Sequence, residues 1–208
     1  MKLKGVFIAG TDTGVGKTWV TTRLIEGLRS KGIRAVGMKP VECGGREDST
    51  AILSASGGLE SGLSLDEVNP FTLPEPLAPA AATPPIRLDF DGIRSSFKTL
   101  ANREEFVIVE GAGGWFVPLD HERTMADLAK MLGLPVLVVA ANRLGVLNHT
   151  LLTVRAIQAQ GLECCGIFLN DLAADSDLSC QSNARVLREI LPGLDVFDND
   201  AEGLLNLF

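Results

Sequence analysis

Short apolar runs alternate with longer amphipathic stretches along most of the chain. Residues 6–9 (Val-Phe-Ile-Ala), 35–38, 106–109, 136–140 and 166–169 are apolar segments of strand length. They are continuous rather than alternating, the pattern of strands covered on both faces. Residues 17–29 repeat at helical spacing, with Val20, Leu24, Ile25 and Leu28 on one face and Gly32 just past the end. Residues 148–160 do the same through Leu151, Leu152, Val154 and Ile157, and Gly161 follows. Strand and helix patterns in turn predict an α/β fold: a mostly parallel sheet with helices on both faces, in a single domain. One stretch breaks the pattern. Residues 69–85, N-P-F-T-L-P-E-P-L-A-P-A-A-A-T-P-P, hold most of the chain's prolines, so regular structure is not expected there. A compact domain rarely keeps so long a loop without a use, and we expect it ordered near the active site.

Composition narrows the class. A hydrophobic share of 46% over 208 residues supports a sizeable core and argues against disorder. The net charge of −7 argues against nucleic acid as a partner. No apolar run approaches membrane-spanning length, and Met1-Lys2-Leu3-Lys4-Gly5 has no signal-peptide character and leads almost at once into a strand. These features predict a cytoplasmic protein. Cys43, Cys164, Cys165 and Cys180 have no zinc-site spacing, and Cys164 and Cys165 are expected to be reduced core residues. With only His121 and His149, a histidine-rich metal site is excluded.

In open parallel sheets, ligands bind beyond the carboxyl ends of the strands. After the first strand comes Gly10-Thr11-Asp12-Thr13-Gly14-Val15-Gly16-Lys17-Thr18. This strand–loop–helix setting is that of a phosphate loop. Its glycines let several N–H groups point at one anion, and the helix N-terminus adds donors. Lys17 is placed to reach the terminal phosphates and Thr18 to ligate Mg²⁺. The usual G-x-x-x-x-G-K-[ST] pattern needs a glycine at position 11, where Thr11 stands; the glycine is one place earlier. After the second strand comes Lys39-Pro40-Val41-Glu42-Cys43-Gly44, in which Lys39 is a candidate charge clamp. After the third comes Glu110-Gly111-Ala112-Gly113-Gly114-Trp115, an acid suited to Mg²⁺ and glycines that admit a substrate to the backbone. After the fourth comes Asn142-Arg143-Leu144-Gly145-Val146-Leu147-Asn148-His149, a helix start suited to a carboxylate. Asp48 follows a Gly-rich turn and is either a third metal-directed oxygen or a helix N-cap.

Taken together, these motifs resemble the dethiobiotin synthetases, ATP-dependent cyclo-ligases of biotin biosynthesis. The resemblance rests on G-T-D-T-G-V-G-K-T (10–18), M-K-P-V-E-C-G (38–44), N-P-F-T (69–72), V-E-G-A-G-G-W (109–115), L-G-V-L-N-H (144–149) and N-D (170–171). It implies one P-loop NTPase-like ligase domain over residues 1–208, using ATP and Mg²⁺. Asp12, Thr13, Gly14, Val15, Gly16, Lys17 and Thr18 would hold the nucleotide phosphates, and Asn170 would read the adenine edge. Thr18, Asp48 and Glu110 would surround the metal. Lys39, Lys17 and Thr13 would carry catalysis, with Lys39 neutralising the reacting carbamate. Thr13, Lys39, Cys43, Glu110, Gly111, Ala112 and Gly113 would line the substrate, 7,8-diaminopelargonic acid. Gly145 and Asn148 of a partner subunit would meet its carboxylate, in a homodimer. One amine captures CO₂, the carbamate oxygen attacks the γ-phosphorus, and the second amine closes the cyclic urea as phosphate leaves. Such chemistry is dominated by positioning and charge neutralisation.

The chain departs from the family pattern in three places. Cys43 stands where relatives have a hydroxyl residue, Ala80 where they have a histidine, and the end of the chain lacks the Gly-x-Ile-Pro turn near the base. The last departure implies looser adenine recognition, with CTP and GTP turned over comparably to ATP. The main rival is a nucleotide-switch ATPase of the partitioning or division-site type. Those proteins carry a second lysine in the loop, where this chain has Asp12, and usually a basic or amphipathic tail; residues 195–208 are acidic and apolar instead. An amidating synthase would need a glutaminase domain, for which this chain has no room.

Overall fold

The computed structural model describes residues 5–171 and 178–208. The lead-in at residues 1–4 lies outside them. Strand β1 (Gly5–Gly10) is followed by helix α1 (Lys17–Ser30), then β2 (Ala35–Met38), a short β3 (Val41–Cys43) and α2 (Glu47–Ala55). Next come α3 (Leu65–Val68), β4 (Phe71–Leu73), α4 (Phe90–Arg103) and the long β5 (Phe106–Gly114). The last third holds α5 (Met125–Leu132), β6 (Val136–Ala141), α6 (Val146–Ala159), β7 (Cys164–Asn170), α7 (Cys180–Ile190), β8 (Val196–Asp198) and α8 (Ala201–Leu204).

Six strands form one parallel sheet in the order β2-β5-β1-β6-β7-β8, and β3 pairs with β4 in a separate parallel ribbon. Right-handed crossovers from β1 and β5 leave in opposite directions, so they cover opposite faces. Helix α1, with α2 and α8 against it, packs on one side; α4, α5, α6 and α7 pack on the other. Burial on both faces explains the continuous apolar runs: every residue of β1 and all but the last of β6 are buried. The five predicted strands and two predicted helices are all present, the second helix starting two residues early, at Val146.

Three expectations are corrected. The segment at 69–85 is not wholly irregular: β4 and a single 3₁₀ turn at Pro79–Ala81 punctuate it. Both fall where three or more residues separate prolines or where proline can sit in a first turn. The E-G-A-G-G run is not a turn after the strand, because β5 carries it onward to Gly114, which pairs with Gly10. Glycine permits this extension: a Cβ on Gly111 would stand 3.1 Å from the Phe7 ring. Finally, Cys164 and Cys165 are only half-buried, at the start of β7.

Two predictions arise here. Gly37 in β2 faces Ile52 of α2 and Ile25 of α1 so closely that a Cβ would collide with both. Gly37→Ala should overpack this layer and destabilise the fold by about 1–3 kcal/mol, read as a lower denaturation midpoint; an unchanged midpoint would show that the layer yields freely. The cysteine pair gives the second. Burial pushes the Cys164 thiol up to about 11, and burial with the neighbouring Cys164 pushes the Cys165 thiol up to about 12. Reactivity follows the thiolate, so at pH 8 alkylation of both should be about 100-fold slower or more than in the unfolded chain. Mass-spectrometric labelling at equal rates in folded and unfolded protein would contradict this.

Candidate active site

The loop between β1 and α1 is built around its glycines. Gly14 and Gly16 adopt left-handed backbone angles, φ 73° and 87°, which bend the chain into a cradle. Gly16 caps α1 with no side-chain acceptor on the first-turn N–H groups, and no acidic residue lies in that turn. The helix start is thus left open for an anion. Lys17 is buried and curls back so that its ammonium donates to the Asp12 carbonyl at 3.1 Å. The displaced glycine now has a reason. A Cβ at position 10 would lie 2.8 Å from Lys17 Nζ and 2.7 Å from the Asp12 carbonyl oxygen, so only glycine lets the lysine pass.

A second cluster adjoins the loop. Lys39, just beyond β2, is 3% exposed, and its ammonium lies 2.5 Å from Glu110 Oε1 and 2.9 Å from Asp48 Oδ2. Thr18 donates its hydroxyl to the same Glu110 oxygen at 2.8 Å. Glu110 is fully buried in β5, and among the described residues its Oε2 has no hydrogen-bond partner. The charges shift one another. Burial, then the nearby Lys39 ammonium, lowers the pKa of Lys17 to about 8. Burial also opposes the charge on Lys39, but the Glu110 and Asp48 carboxylates outweigh it and hold its pKa above the ordinary lysine value. For Asp48, burial is outweighed in turn by Lys39, and the carboxyl stays below its usual range.

Asp48 is not the N-cap of α2 but its second residue, one turn-position inside. Its backbone N–H donates at 2.9 Å to the carboxylate of Glu42, a residue the sequence did not mark. The backbone of Lys39 is fixed separately. Its N–H donates to the Val68 carbonyl at 2.8 Å, and the buried Asn69 amide donates to its carbonyl at 2.7 Å. Arg46 completes this clamp by donating to the Asn69 side chain and carbonyl.

These groups enclose a cavity of about 500 Å³. Of the predicted site residues, Thr13, Gly14, Gly16, Lys17, Thr18, Lys39, Cys43, Asp48, Glu110, Ala112 and Gly113 line it. The exposed Asp12 and the buried Val15 do not line it, and Gly111 packs on Phe7. Asn170 lies at the end of β7, its amide donating to the Val15 carbonyl at 3.1 Å. Gly145 and Asn148, at the start of α6, are exposed and do not line the cavity. The wall facing the charges is apolar: Pro76, Leu77, Ala78, Pro79 and Val117. The loop's position was expected from the prolines; which residues would face inward had no signal.

Relatives confirm the lineage. An AAA domain family model matches residues 4–196. The chain is 39% identical to the ATP-dependent dethiobiotin synthetase BioD of Akkermansia muciniphila, over 95% of this chain and 97% of that protein. It is 43% identical to that of Methanocaldococcus jannaschii, over 79% and 78%. The chain belongs to the dethiobiotin synthetase family. In fold, this family member is similar to a plasmid partition protein from Borrelia burgdorferi (TM-score 0.60, 15% identity, 100% of this chain and 98% of that one). At such identity the likeness shows the P-loop architecture alone.

A dethiobiotin synthetase named for its ATP dependence needs a site for a triphosphate and the metal that travels with it. The donor set fits both. The open α1 terminus and two buried ammoniums suit phosphate oxygens, while one hydroxyl and two carboxylates are the hard oxygen donors Mg²⁺ prefers. The orphaned, buried Glu110 Oε2 is a carboxylate oxygen short of a cation or donor.

Proposed function

We propose that the protein is an ATP- and Mg²⁺-dependent dethiobiotin synthetase, joining 7,8-diaminopelargonic acid and CO₂ into the cyclic urea of dethiobiotin with release of ADP and phosphate. One observation carries the reading: the phosphate loop and the Asp48–Lys39–Glu110 cluster, joined by the Thr18–Glu110 hydrogen bond, line one cavity together with the apolar Pro76, Leu77, Ala78, Pro79 and Val117. A switch ATPase has no need of that apolar chamber. The loop N–H groups from Thr13 to Thr18, with Lys17, hold the phosphates, and Asn170 stands toward the base. Thr18, Asp48 and Glu110 would hold Mg²⁺, which would supply positive charge to balance that of the phosphates.

Lys39 is the residue between the two substrates. Its ammonium, kept protonated by two carboxylates, balances the negative charge of the carbamate and of the phosphoryl group it attacks. Thr13, Cys43 and the 111–113 backbone flank the reacting end, and Pro76, Leu77 and Pro79 cover the aliphatic chain and exclude water. The carboxylate end of the substrate reaches beyond the cavity. Gly145 and Asn148 lie outside it, so we assign them to a homodimer in which this helix start serves the other subunit's site. As a biosynthetic enzyme it is placed in the cytoplasm; among the described residues no helix is long and apolar enough to cross a membrane. With ¹³C-bicarbonate, the diamine and MgATP, the product should carry one labelled carbon, at the ureido carbonyl. Formation of ADP without a labelled cyclic urea would overturn the reading.

A further inference from the structure

Helix α2 begins without help from its own N-cap: Arg46 offers no side-chain acceptor. The first-turn donors are met from outside. Glu42, in β3, accepts the N–H of Asp48 on Oε1 at 2.9 Å and the N–H of Ser49 on Oε2 at 3.0 Å; the Ser49 hydroxyl donates to the same Oε2. A carboxylate at a helix N-terminus is favoured by the dipole, and a buried one needs such donors to remain charged. Glu42 is itself 5% exposed and lines the cavity, three residues from Lys39.

The consequence runs through Asp48. Its side chain is half-exposed, so burial does not fix its direction, yet it meets the Lys39 ammonium at 2.9 Å. Hydrogen bonds to Lys39 and Thr18 hold the carboxylate itself, and the backbone turn that carries it is pinned by Glu42. We propose that Glu42 is a positioning residue: by capping α2 across the cavity floor it holds the Asp48 carboxylate against Lys39 and toward the metal. The proposal rests on the assignment of Asp48 to the Mg²⁺ site.

Glu42→Gln tests it with little change of shape. A glutamine has one acceptor oxygen. If that oxygen keeps the two Ser49 donors, the amide nitrogen faces the Asp48 N–H and the link to Asp48 is lost. Binding of Mn²⁺ with a non-hydrolysable ATP analogue, followed by electron paramagnetic resonance, reads the site without turnover. We expect Mn²⁺ affinity to fall about 10-fold, in the range typical of groups that orient metal ligands, and kcat to fall with it while KM for the diamine stays within about threefold. Ser56→Ala is the control for mere loosening of α2. Ser56 Oγ joins the far end of that helix to Gly37 at 3.0 Å, remote from Asp48. It should lower the melting temperature and leave Mn²⁺ affinity unchanged. Mn²⁺ affinity unaltered in Glu42→Gln, or equally reduced in Ser56→Ala, would overturn the positioning role. Normal Mn²⁺ binding by a wild-type protein that forms no dethiobiotin would instead fault the assigned reaction, leaving the Glu42 result to stand on its own.

Discussion

Lys39→Ala should lower dethiobiotin formation by about 1,000-fold, the scale on which a single preorganised charge acts on a developing anion. The sequence places this lysine at a strand end, where the loss of a side chain ordinarily spares the fold. The structure changes the second half. Lys39 stands at the strand end but is almost wholly enclosed, and its removal takes away the ammonium bonded to Oε1 of the fully buried Glu110. Breaking one side of a buried pair is strongly unfavourable, so a stability loss of about 3 kcal/mol should accompany the lost turnover. Denaturant titration and kinetics well below the variant's melting temperature separate the two effects. Turnover within tenfold of wild type, in folded variant, would remove Lys39 from the chemistry.

Glu110→Gln should have the second largest effect. Its Oε1 already receives Lys39 and Thr18, and its Oε2 lies buried with no partner among the described residues. The amide keeps the volume but loses the charge that balances Lys39 and that would face Mg²⁺. The Mg²⁺ concentration at half-maximal rate should rise about 10- to 100-fold, with kcat lower by about 100-fold. An unchanged Mg²⁺ titration would take Glu110 out of the metal site even if the rate fell.

What could be seen in the sequence divides along physical lines. The central strands were legible because burial on both faces leaves an unbroken apolar run, and the phosphate loop because it needs glycines and a lysine at fixed offsets. Even the displaced glycine was visible, although its cause, the passage of the Lys17 side chain over residue 10, is a matter of three dimensions. The short β3–β4 ribbon carried no such signal: three-residue strands are held by a partner about thirty residues away. Glu42 and Asn69 were missed for a related reason. Each acts through backbone groups, of α2 for one and of Lys39 for the other, and hydrogen bonds to a distant main chain leave no pattern of residue types. The end of the chain was noted for what it lacks. In the structure α8 and the residues after it pack on α1, with Phe208 against Phe106, so this segment closes the core.

In the proposed reaction this cavity couples ATP cleavage to ring closure. The most direct test measures ADP and dethiobiotin together, with each of diamine, bicarbonate and Mg²⁺ omitted in turn. One ADP per dethiobiotin is expected, with almost no ADP when the diamine or bicarbonate is left out. Steady ADP release that ignores the diamine would contradict it and return the protein to the nucleotide-switch class.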